Sequence, residues 1–400
     1  MHGASAVARN PERLKKIFYN EGLSNNGIYA LRMYVLGVPI TVTIDDRFPL
    51  VEGNSIFAAA SPDGALWGIL IEKAIAKIYG SYESIVGGDP SVAIEMLTGA
   101  PSERYHHTDK TALEVWDLIR EAEANGNMLS SSTPGTTNTK TSDLGIVGNH
   151  VYTILDTSEA FGKRLIRMRN PWGRETYSGP WRDDDASNWD LGLRYLVDYA
   201  DENEGIFWID YLTYHSEFLS TTVHFDTTEM KQSYYLGLND YANYNYATGP
   251  YSYFLAKRHE FTITSPVNQK VYISSHVWPL KSYPDDCKGA YLGPQDSKHY
   301  IQLTDKDRSN RVISSQIRTW WRFDQSMNFD AIELKAGQQI KVVMELDWKT
   351  NSSRDFSLVV WSDGLQEVEI TSDLPYSDTI RSAFPLTERR EDDNNAKVES

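Results

Sequence analysis

The chain has 400 residues, a net charge of -16 and a pI of about 5.0, with 40% hydrophobic and 12% aromatic residues. That is enough apolar material for two to four packed domains, and the acidity argues against nucleic acid and against a basic membrane-binding surface. One cysteine, Cys287, excludes a disulfide framework or a Cys-rich zinc site and points to a reducing, intracellular and hence cytoplasmic location. No secretory leader is expected, because the start of the chain lacks a long apolar core. The longest apolar run, Tyr29 to Ile44, is broken by Arg32 and Pro39 and is too short to cross a bilayer.

In chain order, the small residues Ala4, Ala6 and Ala8 predict a tightly packed helix, and Pro11 opens a second, Glu12 to Tyr19. Tyr29 to Ile44 alternates as a strand pair. Ser61-Pro62-Asp63 predicts a helix start, with Leu66, Ile69, Leu70, Ala74 and Ile78 at helical spacing and Gly80 as its stop. A further helix is expected from about Ala112 to Ala124. Residues Ser130 to Ser142, rich in Ser and Thr, read as a mobile surface loop. Two short strands follow, in LGIVGNHVYTILDT and RLIRMRN, and then a solvated acidic loop at Asp183 to Asp185. Gly205 to Tyr211 reads as a buried strand. From about Thr222, runs such as HEFTITSP, KVYISSHVW, IKVVMEL and DFSLVVWS predict an antiparallel β-sandwich. The polar tail from Ser377 is expected to be disordered.

His150 is placed inside the first of the two central strands, and Asn170 ends the second, followed by Pro171-Trp172-Gly173. An Asn carbonyl that accepts from one imidazole nitrogen fixes the ring and its tautomer, which leaves the other nitrogen as a base. Trp172 can shield that bond from water. These are two thirds of a Cys-His-Asn nucleophilic site. Cys287 is a poor candidate for the remaining third, because the acids in YPDDCKGAY raise a thiol's pKa.

GNHVYTILD and RMRNPWG resemble the His and Asn blocks of the calpain branch of papain-like cysteine proteases. VTIDDRFP, LWGILIEKAIAKIYGSYESIVGG, IEMLTGAP and GIFWIDY resemble further blocks of that family. The resemblance implies an α+β papain-like protease core followed by a β-sandwich. Residues 1–103 would be the remainder of a helical first subdomain, and 104–222 a β-rich second subdomain. The sandwich would occupy 223–375 and the disordered tail 376–400.

The resemblance also assigns roles. His150 is the general base and acid, Asn170 its orienter, and Trp172 the cover. Aligning Ala6-Val7-Ala8 and Pro11-Glu12-Arg13 with the family's nucleophile helix puts Met1 at the nucleophile position. Calpains bind calcium, and Glu175, Asp183 and Glu204 would form a degraded site, since Thr176 and Ile206 stand where acids are expected. The expected function is a calpain-like cysteine endopeptidase acting on proteins, inactive as this chain alone. The alternative is a pseudoprotease scaffold that binds protein partners, of a kind associated with the cytoskeleton.

Overall fold

The computed structural model describes residues 6–20, 22–51, 54–55, 58, 64–197, 199, 202, 204–239, 257–277, 298–305, 311–319, 326–346, 354–364 and 366–373. Met1, Ser61 to Asp63, Cys287 and the tail lie outside them.

The elements in chain order are as follows. Helix α1 is Pro11–Ile17, β1 is Ile28–Val35 and β2 is Val38–Asp45. A short pair, β3 Leu50–Val51 and β4 Asn54–Ser55, precedes α2, Trp67–Tyr79, and α3, Pro90–Thr98. Next come β5, Ser102–His106; α4, Ala112–Ala124; β6, Met128–Ser132; β7, Val151–Ala160; and β8, Lys163–Arg169. Helix α5, Leu191–Leu196, leads to β9, Ile206–Asp210; α6, Tyr211–Glu217; and β10, Ser220–His224. Then β11 is Lys231–Asn239, β12 Lys257–Thr264, β13 Gln269–Val277, β14 Lys298–Asp305 and β15 Arg311–Thr319. The last strands are β16 Ser326–Asn328, β17 Ile332–Leu334, β18 Gln339–Leu346, β19 Arg354–Ser362 and β20 Glu369–Ser372.

Two compact units result. The first takes the described residues up to Tyr19 and then Ala93–Thr228. Its centre is a six-stranded sheet in the order β5-β10-β6-β7-β8-β9, antiparallel throughout. Helix α4 starts in a capping box: the Thr111 hydroxyl accepts from the Glu114 N–H, and the Glu114 carboxylate accepts from the Thr111 N–H. Its buried stripe of Val115, Trp116, Ile119 and Ala122 packs on Ile154, Ile166, Met168 and Phe207 of the sheet. Burying side chains of that size stabilises by about 1.5–3 kcal/mol each.

The stretch Ser130 to Ser142 is not wholly a surface loop. Ser130 to Ser132 belong to β6, and Ser130 and Ser131 are fully buried. Their hydroxyls are satisfied inside: Ser130 pairs with the His224 ring at 2.9 Å, and Ser131 donates to the Ser220 carbonyl and accepts from the Tyr214 hydroxyl. Asp183 to Asp185 do not form a solvated loop either, since Asp183 and Asp185 are buried. Asp185 accepts from Trp181 N–H, Ser187 N–H and the Asn188 side chain. These donors, Asn188 first, hold its carboxyl down at about 2.

The second unit comprises 20–92 and 229–400, as far as described. Two antiparallel five-stranded sheets, β11-β19-β13-β16 with β17 on β13, and β15-β14-β18-β12-β20, share one apolar core. Phe261 and Ile263 of β12, Ile340, Val342 and Met344 of β18, and Phe356, Leu358 and Val360 of β19 enter it at alternate positions. The other face of β19 carries Val359 and Trp361, which meet Tyr34 of β1.

The β1–β2 hairpin turns at Leu36 and Gly37, both at positive φ (53° and 67°). Its tip is pinned to the sheet: Ser357 donates to the Leu36 carbonyl, and the Gln232 side chain to the Gly37 carbonyl at 2.7 Å. Helix α2 begins at Trp67, several residues after the expected Ser61 cap. Leu66 at its N-cap makes no side-chain cap bond. Gly80 closes it at φ 92°.

Candidate active site

The central hairpin positions the site. Strands β7 and β8 pair from Thr153 opposite Arg169 to Ala160 opposite Lys163, with one irregularity between Ile154 and Asp156. At the open end, His150 lies immediately ahead of β7, not inside it, and Asn170 follows β8. Asn149, at φ 45°, turns the chain sharply just before the histidine. The two side chains meet: His150 Nε2 is 3.0 Å from Asn170 Oδ1.

The hydrogen bonds around Asn170 fix its amide. Its Oδ1 also accepts from the Trp172 N–H at 3.1 Å, and its Nδ2 donates to the Arg174 carbonyl at 3.2 Å. An oxygen can only accept, so His150 carries its proton on Nε2 and leaves Nδ1 with a lone pair. Asn170 is fully buried, which makes that bond hard for water to replace. The Trp172 indole lies over the imidazole, with centroids 4.5 Å apart, and the Tyr152 ring meets it edge-on at 5.2 Å. Arg174 stacks on the far partner, its guanidinium carbon 5.2 Å from the Trp172 ring. Burial pushes the His150 pKa down, and the Asn170 hydrogen bond offsets part of this. The ring is therefore neutral near pH 7, the state a base needs.

Two glycines that the sequence reading passed over hold the site together. Gly205, at φ 81°, accepts with its carbonyl from the Asn170 N–H at 2.7 Å. A Cβ there would come within 2.8 Å of Arg174 N and 3.0 Å of Asn170 O. Gly145, at φ 80°, has no room for a Cβ against the Thr176 carbonyl. The signal was the left-handed conformation that these positions demand, which a single sequence does not display.

The acids are also drawn together. Glu175 shares a hydrogen bond with Asp183 and lies close to Glu204; burial, then the Asp183 charge, push its carboxyl up to about 8. Glu204 keeps one buried carboxylate oxygen without a hydrogen-bond partner among the described residues. Yet among the described residues no group of three or more His, Cys, Asp or Glu side chains is disposed to hold a metal ion. As they stand, Glu175 shares a hydrogen bond with Asp183 near Glu204, and the described residues show no built cage for a calcium ion around them. Tyr152 also makes a side-chain hydrogen bond with Thr176, where the resemblance called for an acid.

Met1 and Cys287 lie outside the described residues. No helix of the described residues is long and apolar enough to cross a membrane.

The sequence pattern of the calpain family cysteine proteases matches residues 1–224. The chain is similar to the calpain-type cysteine protease DEK1 of Arabidopsis thaliana, at 30% identity over 229 residues, which is 55% of this chain and 11% of that protein. It is 31% identical to calpain-9 of Mus musculus over 215 residues, 51% of this chain and 30% of the relative. Against the calpain-1 catalytic subunit of Rattus norvegicus it is 30% identical over 215 residues, 50% of this chain and 29% of the relative. The match thus spans about a third or less of each relative's length. With more than half of its residues inside the family's pattern, and with the His and Asn blocks within that span, the chain belongs to the calpain family of cysteine proteases.

Proposed function

We propose that this chain supplies the histidine and asparagine of a calpain-type endopeptidase site that hydrolyses peptide bonds in protein substrates. The observation that carries the reading is the His150 Nε2 to Asn170 Oδ1 bond of 3.0 Å beneath the Trp172 indole. In this reading a cysteine thiol gives its proton to His150 Nδ1, and the thiolate attacks the substrate carbonyl carbon. The imidazolium, steadied by Asn170, returns that proton to the leaving amine as the C–N bond breaks. Water, deprotonated by the same nitrogen, then releases the acyl group and restores the thiol. The two-sheet part of the second unit is assigned in the same reading to the family's β-sandwich, and an intracellular location is inferred from the single cysteine.

Among the described residues no thiol stands beside His150. Cys287 is the only cysteine, and the resemblance puts Met1 at the nucleophile position. A thioether cannot be deprotonated, so we propose that residues 1–400 alone do not turn over peptides. That observation also favours a second reading, in which the chain is a pseudoprotease that binds protein partners. A fluorogenic-peptide or casein assay separates the two. It compares this chain with a Met1→Cys, His2→Trp chain extended upstream by Gly-Asp, and with the same extended chain carrying His150→Ala. Turnover only by the extended chain, lost with His150, supports the endopeptidase site. No turnover in any form favours the scaffold. Turnover by the unextended chain that an alkylating reagent blocks would make Cys287 the nucleophile and defeat the assignment.

A further inference from the structure

The ring of His150 is held by Asn170, Trp172 and Tyr152, but these contacts do not hold its main chain. The histidine stands at the neck of the 134–149 loop, directly after the left-handed Asn149. A side chain can keep one hydrogen bond only if the backbone beneath it stays in place. The residue facing that backbone is Thr133, which follows β6 and is 6% exposed.

We propose that Thr133 is a positioning residue that clamps the His150 main chain so that Nε2 stays on Asn170 and Nδ1 faces one direction. This rests on the reading of His150 as the site's base. Thr133 N–H donates to the His150 carbonyl at 3.0 Å. In return, His150 N–H donates to Thr133 Oγ1 at 2.9 Å. The same hydroxyl donates its single proton to the Val147 carbonyl at 2.7 Å, with the His150 carbonyl at 3.1 Å. One hydroxyl can accept and donate at once, so it ties the last turn of the loop to the start of β7. The β-branched side chain is stiff about χ1, which keeps the hydroxyl aimed. The neck is tight on the loop side too. Asn149 N–H donates to the Pro134 carbonyl at 2.9 Å, and a Cβ on Gly135 would be 3.2 Å from Asn149 N. Valine at 133 would fill the same space while leaving the His150 N–H and the Val147 carbonyl without that partner. Movement of the loop would then reach the imidazole.

The test reads the ring itself, in the full chain labelled with ¹⁵N-histidine, with the His150 signal assigned by its loss in His150→Gln. The parent is expected to show the proton on Nε2 and an unprotonated Nδ1. Thr133→Val should give a mixture of tautomers and move the apparent pKa by half a pH unit or more, on the order of a threefold change in protonation. Thr133→Ser, which keeps the hydroxyl, should restore the parent pattern. A Thr133→Val chain with the parent tautomer and titration overturns the proposal. So does a Thr133→Ser chain as disturbed as the valine, because the methyl would then be the working part.

If Thr133→Val does not fold, amide exchange of the parent decides. The His150 N–H should exchange at least on the order of 10³-fold slower than an open amide, and free exchange overturns the clamp. Asn170→Ala keeps the two levels apart. If it leaves the tautomer untouched, the His-Asn reading fails. If it scrambles the tautomer while Thr133→Val does not, only the role of Thr133 fails.

Discussion

Replacing Glu175 by glutamine tests the acid cluster beside the Asn170 turn. In the folded chain burial and the neighbouring Asp183 and Glu204 charges hold the Glu175 carboxyl at about 8, against an ordinary 4.5. The folded state therefore binds a proton that the unfolded state has released between those values. Stability must fall as pH rises from 4.5 to about 8, and level off above. At about 1.4 kcal/mol per pH unit, that interval sets a ceiling of roughly 5 kcal/mol. The carboxyl is only partly buried, and solvent screens it, so the effect to expect is about 1–2 kcal/mol. Glutamine keeps the hydrogen-bonding shape without the charge, and it should remove this part of the pH dependence. Urea unfolding of both chains at pH 5 and pH 8.5 measures it. The two should be nearly equal at pH 5, with the variant more stable at pH 8.5. A difference that does not change with pH, or one that favours the parent at pH 8.5, would refute the claim that burial and the neighbouring acids raise the Glu175 carboxyl.

Gly205→Ala should cost about 2–4 kcal/mol, because the left-handed backbone disfavours a Cβ and the new atom overlaps the Asn170–Arg174 turn; a melting temperature within about 1 °C of the parent would contradict the close approach. His107, buried against His215 and Tyr214, has its pKa pushed down to about 4, first by burial. Its depressed value means that stability present above pH 6.5 is lost as pH falls towards 4. His107→Asn should make that acid limb shallower by roughly 2 kcal/mol, and an unchanged limb would show that His107 does not drive it. Gly37→Ala puts a Cβ 2.7 Å from His276 Nε2 and 2.8 Å from a Val359 methyl. It should destabilise the second unit by about 2–3 kcal/mol, and a neutral result in calorimetry would mean that the hairpin tip is not pinned there.

The sequence by itself determined the local elements. The α4 helix is legible because Thr111 and Glu114 form their capping box within four residues, and its apolar stripe has helical spacing. The β1–β2 hairpin and the strands β12, β18 and β19 are legible because alternation reports a half-buried ladder, and a side chain's face needs no partner to be inferred. The blocks around His150 and Asn170 are legible as a histidine paired with an asparagine, although the left-handed Asn149 and the Thr133 hydrogen bonds that seat the histidine are not. Tertiary structure decided what depends on residues distant in the chain. Ser130 and Ser131 read as loop by composition, and only His224, Ser220 and Tyr214, brought alongside by β10 and α6, make their burial affordable. Asp183 to Asp185 read as a solvated loop in sequence, and the raised Glu175 carboxyl appears only once the fold brings it to Asp183 and near Glu204. Gly205 and Thr133 gain their meaning in the same way, because each acts on the backbone of a residue that another strand delivers. Periodicity and capping are short-range and written locally, whereas the cost of burying a polar group is set by whichever partner the sheet order happens to supply.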